Sequence, residues 1–209
     1  MSVANTPERM LIGARVALRP VTQADYELIR MAETTGNDSL IYRQRGMASS
    51  PEEWAVSFWR GVLTQWVILD KGSGSPAGVA TSYGADFRSG HAYIAGIIFP
   101  PCKRQGWPLE GFQLLIDDLF DTFGFRKLYA EMYEHNLKQF ASVLQGLAHE
   151  EGRLRNHERI ADELVDKVTL ALYREDWKLA RAGGRGLARG DLLRRIRAAD
   201  RSFEASTVR

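Results

Sequence analysis

The sequence predicts an α/β (α+β) domain carrying a short basic appendage, and three observations support this. Helical and strand periodicities alternate over the first 177 residues. No internal repeat breaks the alternation. The 209 residues are 44% hydrophobic and 26% charged, the balance of an ordinary folded chain with room for one sizeable core. Alternating elements of both kinds build a mixed sheet flanked by helices, which excludes disordered, collagenous and membrane-embedded classes.

Val16 to Leu18 reads as the first strand. Thr22 then caps a helix to about Ala32, with Asp25 three residues on in the reciprocal capping position. After a polar connection, Ser50 followed by Pro51, Glu52 and Glu53 starts a second helix: proline suits the first helical position, and the acids suit the positive end of the dipole. Trp54, Phe58 and Trp59 mark its buried stripe, and with Trp66 they read as packing rather than a ligand cage. Gln65 to Asp70 and Pro76 to Phe87 form a hairpin about the turn at residues 71–75. Ala92 to Phe99 is a third strand of this group, in which Gly96 marks a bulge or a close backbone approach. Beyond Pro100 and Pro101 come a helix from Leu109 to Phe123, a strand from Lys127 to Tyr133, a helix from Leu137 to Leu147, and strands at Gly152 to Arg159 and Leu164 to Tyr173.

The net charge of +2 hides an uneven distribution. Residues 178–209 hold nine Lys or Arg against three acids, so this segment is +6 and the first 177 residues are −4. The domain is therefore drawn as 1–177, followed by a basic linker and an amphipathic helical tail at 178–209. The tail reads as a solvated appendage that docks on its own domain or on a second subunit, a homodimer being one arrangement. It lacks the interleaved aromatics of a nucleic-acid surface. No apolar run suggests a signal peptide or membrane span, so a cytoplasmic location is the default expectation. The single cysteine, Cys102, has no disulfide partner, no plausible His partner for nucleophilic work and no metal-ligand spacing around it, so no metal is expected.

The chemically informative unit is the strand, loop and helix from Ile94 to Phe120. Its loop, Lys103, Arg104, Gln105, Gly106 and Trp107, places two cations and a glycine at a helix start, where main-chain N–H groups and the dipole attract anions such as a pyrophosphate. A tight turn with solvated cations has the same appearance.

In order and spacing, the segments Gly96-Ile-Ile-Phe-Pro100, Arg104-Gln-Gly-Trp-Pro-Leu-Glu-Gly111, Arg126-Lys-Leu-Tyr-Ala-Glu131, Asn136, Glu151-Gly-Arg-Leu-Arg155, Asp166 and Arg174-Glu-Asp-Trp177 resemble the GNAT superfamily of acyl-CoA-dependent N-acyltransferases. The likeness is greatest to the branch that contains the ribosomal-protein N-terminal acetyltransferases. It implies a mixed, twisted sheet splayed between the fourth and fifth of the strands named above. Acetyl-CoA or another acyl-CoA would be co-substrate, and a small-molecule amine or a peptide N-terminus would attack directly in a ternary complex. Gly96, Ile97, Ile98 and Phe99 would bond the pantetheine, Lys103 and the N–H groups of Arg104 to Trp107 would hold the pyrophosphate, and Asn136 would contact the cofactor arm. Trp107 would stack on adenine, cover the pyrophosphate, or dock on the domain.

Three departures accompany the resemblance. Lys103 and Pro108 replace the usual loop residues, and Pro108 has no N–H to give. Gln139 stands where the branch often has a serine, and no tyrosine lies between Leu137 and Leu147. His135, Glu131 and Tyr133 are then the nearby candidates for proton transfer. Tyr83 and Asp86 border the expected acceptor pocket, where Asp86 would attract a cationic amine. A catalytically silent module that binds acyl-CoA or a partner protein is the alternative reading.

Overall fold

The computed structural model describes residues 9–35, 42, 45, 49–103, 105–160 and 162–187. Among the described residues the strands and α-helices are, in order, β1 (Leu11–Ile12), β2 (Val16–Pro20), α1 (Tyr26–Thr34), α2 (Pro51–Phe58), β3 (Val62–Asp70), β4 (Pro76–Asp86), β5 (His91–Ile98), α3 (Leu109–Asp121), β6 (Lys127–Tyr133), α4 (Glu134–Leu144), β7 (His149–Ile160), β8 (Glu163–Tyr173) and α5 (Arg174–Ala182). The strands form one sheet in the order β1-β2-β3-β4-β5-β6-β8-β7. Only β5 and β6 run parallel. The mixed, helix-flanked sheet is the fold class expected.

Local chemistry explains the helix starts. The Asp25 carboxylate accepts the Thr22 N–H at 2.8 Å and grips Arg19 through two 2.7 Å bonds, which fixes the turn that leads into α1. Arg19 chiefly, against the opposing effect of burial, holds the Asp25 carboxyl below the usual carboxylate range. At α2, Ser50 and Glu53 cap one another reciprocally, as the sequence predicts. Trp54 and Phe58 are buried, but Trp59 is 42% exposed and its indole N–H donates to the Tyr26 hydroxyl. The expected stripe is thus two residues wide, because α2 ends at Phe58.

Each face of the sheet buries a separate cluster. Leu115, Ile116, Leu119 and Phe120 of α3 pack on Val16, Leu18, Ile68, Ile94 and Leu128. On the opposite face, Ile29, Trp54 and Phe58 cover Val67, Val79 and Ile97. A buried side chain of this size contributes about 1.5–3 kcal/mol, so two-sided burial makes β2 to β5 the rigid part of the frame.

Several element ends, and the role of Gly96, differ from or refine the expectation. β3 begins three residues early, and α4 begins at Glu134 rather than Leu137, directly off β6. Gly96 lies in regular register opposite Ala80, so it marks a close approach and not a bulge; a Cβ there would sit 2.6 Å from the Phe112 ring. Helix α5 runs through the boundary drawn at residue 177, and packing continues to Leu187, whose N–H donates to the buried Gln113 side chain. Trp177 joins the core and donates to Asp117 at 2.7 Å. The expected linker is therefore partly docked chain, and the amphipathic tail helix lies outside the described residues.

Candidate active site

Strands β5 and β6 pair only from His91–Lys127 to Ile94–Ala130. Beyond that point β5 continues beside β4 to Ile98, while β6 continues beside β8 to Tyr133. Both strands keep their outer partners and lose each other. This leaves the inner edges of Ala95–Ile98 and Glu131–Tyr133 facing a gap, at the position where the sheet was expected to splay.

A cleft of about 590 Å³ adjoins the gap. It is lined by Ala95, Gly96 and Ile97 on one side and by Glu131, Met132 and Tyr133 on the other. Helices α1 and α2 supply Glu33 and Ser57, β4 supplies Thr81 and Tyr83, and Lys167 comes from β8. Strand alternation places Glu131 and Tyr133 on one face, as their spacing predicts.

Several polar groups of the cleft are tied to neighbours. Lys167 lies 2.7 Å from Glu131. The Tyr133 hydroxyl donates to Glu158 at 3.4 Å, and Arg45 stands 3.4 Å from the same carboxylate. Burial and the Glu158 charge push the Tyr133 phenol above its ordinary value, so it keeps its proton through neutral pH. Glu33, only 5% exposed, accepts the Trp54 indole N–H at 2.9 Å. His135 is exposed and stacks on Tyr133 with centroids 6.0 Å apart.

At the other side of the gap, the chain after Phe99 turns through Pro100, Pro101 and Cys102 and reaches Gly106 at φ +76°, a left-handed conformation that suits glycine. Hydrogen bonding narrows the expected donor set. The N–H groups of Lys103 and Gln105 turn back onto Pro100 and Cys102, and those of Leu109, Glu110 and Gly111 onto Gly106, Trp107 and Pro108. Gly106 and Trp107 present N–H groups that no described residue accepts. Arg104 lies outside the described residues. The Gln105 side chain accepts the Trp107 indole N–H at 2.6 Å, and Arg15 covers the indole ring at 4.6 Å. Trp107 is thus tied to Gln105 and Arg15 and partly buried on the domain, the docked arrangement among those expected.

The remaining candidates separate clearly. Asn136 sits in the first turn of α4 and not at a strand end. Tyr83 lines the cleft, but Asp86 does not: its carboxylate caps the β4–β5 turn through the Ser89 N–H at 2.8 Å, the main cause of its lowered pKa. Burial raises the Cys102 thiol, which suits a packed loop residue and not a nucleophile. Glu33, Arg45, Arg60 and Lys167 were missed. Only Glu33 left a local signal, being an acid four residues after the buried Ile29 in the apolar stripe of α1.

A sheet parted beside a glycine-turned loop, with a cleft that carries both charged and apolar groups at the parting, is the frame on which the chain's family can be assigned. The chain belongs to the GNAT acetyltransferases: a model of the acetyltransferase (GNAT) domain matches residues 15–144. It is an acyl-CoA-dependent N-acetyltransferase with acetyl-CoA as co-substrate. Solved structures share the fold at low identity. Spermidine N-acetyltransferase from Vibrio cholerae, in complex with CoA and spermine, superposes with a TM-score of 0.68 at 16% identity, over 79% of this chain and 99% of that one. A putative acetyltransferase gives 0.64 at 20% identity over 85% and 92%, and a GCN5-related N-acetyltransferase from Brucella melitensis gives 0.63 at 17% over 84% and 83%. No curated protein sequence matches the chain. No helix among the described residues is long and apolar enough to cross a membrane.

The donor set suits the co-substrate. The β5 edge along Ala95–Ile98 is unpaired on the side of the gap, and the N–H groups of Gly106 and Trp107, with Lys103 exposed nearby, are of the type that hydrogen-bonds to anions.

Proposed function

We propose that the enzyme acetylates a primary amine that enters the 590 Å³ cleft and meets the acyl carrier at the gap between β5 and β6. The observation that carries this reading is the end of β5–β6 pairing at Ile94–Ala130, with the cleft lined by the residues just beyond it on both strands. Acetyl-CoA, when bound, supplies an activated acyl thioester; Ala95–Ile98, Gly106, Trp107 and Lys103 are the residues to hold it. The chain's own task is to position the amine, exclude water and move protons. Glu131, 2.7 Å from Lys167, receives the amine's proton at a carboxylate oxygen, directly or through a water. Tyr133, kept protonated by burial, would give the proton of its hydroxyl to the thiolate sulfur that departs as the new amide bond forms. His135 backs the Tyr133 ring and acts as a positioning residue.

The acceptor is a small amine or a peptide N-terminus. The motif resemblance to the ribosomal-protein branch supports the latter, and the polyamine named for the Vibrio cholerae neighbour supports the former. Thiol release from acetyl-CoA across a panel of amines tests the reading. Turnover that depends on an amine is expected, and the Tyr133→Phe variant should lose about 10²-fold or more in kcat while binding CoA normally. Saturable CoA uptake with no turnover on any amine overturns it.

A further inference from the structure

The charges that line the cleft narrow the acceptor class, given the acetyltransferase reading above. Among the described residues, three cations, Arg45, Arg60 and Lys167, face two carboxylates, Glu33 and Glu131. Lys167 is held by Glu131, and Arg45 lies against Glu158. Arg60 differs from both. It follows the C-terminal end of α2, its side chain is exposed on the cleft wall, and no carboxylate of a described residue lies within ion-pair distance of it. An acceptor built only of ammonium groups, such as a polyamine, meets this cation without compensation.

We propose that Arg60 receives the carboxylate of an amino-acid-like acceptor whose amine points toward Glu131 at the parting of the strands. The guanidinium fork matches a carboxylate in two parallel hydrogen bonds, which an ammonium group cannot accept. Val62, Val79 and Ile97 also line the cleft, an apolar surface suited to a methylene stem. The acceptor is thus an anionic head, an aliphatic spacer and a primary amine.

Matched substrates test this. Thiol release from acetyl-CoA is followed with ω-amino acids of increasing chain length, together with the 1-aminoalkane and the α,ω-diamine of each length. At the best length the amino acid should exceed the diamine in kcat/KM by about tenfold, the value of one charge-assisted contact. In the Arg60→Gln variant that ratio should fall close to one. Diamines used as well as or better than amino acids by the wild type, or a preference that survives Arg60→Gln, overturns the proposal and leaves the acetyltransferase reading intact. Absence of turnover on every amine overturns the reading and this proposal together.

Discussion

The two long hairpins flank the opening and are held by different forces. In β3–β4 most inward side chains are apolar and covered, and the buried Gln65 side chain donates to the Phe58 carbonyl at 2.8 Å and accepts from Thr81 at 3.2 Å. In β7–β8 charge does more of the holding. Arg153 bridges Glu150 at 2.9 Å and Asp166 at 3.2 Å, Lys127 meets Glu151 at 2.9 Å, and Leu154 and Leu164 stay about half exposed. Register shifts between Glu150 and Gly152 and between Leu154 and Glu158 interrupt the edge strand, and Asn156 takes φ +49° with its N–H on Asp166. Such a bulged, charged edge resists pairing with other chains. The gap opens between these two sides of the sheet, so stability on the β7–β8 side is expected to respond more to pH and salt than stability on the β3–β4 side.

The contrast can be broken most severely on the apolar side. Phe58→Ala empties a fully buried position over Val67, Val79 and Ile97 and should cost about 3–5 kcal/mol in denaturant unfolding. Gly96→Ala comes next: the added methyl meets the Val79 carbonyl and the Phe112 ring, so a loss of about 1–3 kcal/mol is expected, accompanied by weaker CoA binding in calorimetry because the gap-facing strand must shift.

The charged side gives smaller, condition-dependent effects. Hydrogen bonds from Tyr173, Lys127 and Tyr129 hold the Glu151 carboxyl at about 2, below its ordinary 4.5. A depressed folded-state value stabilises the fold above pH 4.5, and that contribution disappears as pH falls toward 2. The stability gap between wild type and Glu151→Gln should therefore be full at pH 7 and close through that acid window in urea titrations. Smallest of all, Arg153→Met should cost no more than about 1 kcal/mol, and the cost should shrink in high salt, because both its ion pairs are solvent-accessible. A large, salt-independent loss there would erase the distinction between the hairpins.

Residues 16–173 were legible as a succession of elements because each carries its own period: Trp54 and Phe58 at helical spacing, Glu131 and Tyr133 at strand spacing. The Gly96 close approach and the Ser50–Glu53 cap were also readable, since both are local steric or hydrogen-bonding facts. Element ends were less so. Nothing in residues 134–136 announces that α4 starts directly off β6, and a covered indole such as Trp107 looks like an exposed one until Arg15, 92 positions earlier in the chain, is placed over it.

From the sequence alone one could read the class of fold, the order of its elements and the glycine-containing basic loop ahead of α3, all of which depend on neighbours within a few positions. The tertiary structure decided where β5 and β6 part, which of the loop's N–H groups remain to donate, and which charges share the cleft. Glu33, Arg60, Glu131 and Lys167 lie far apart along the chain. Strand register and helix packing bring them together, and neither is written in any local pattern of residues.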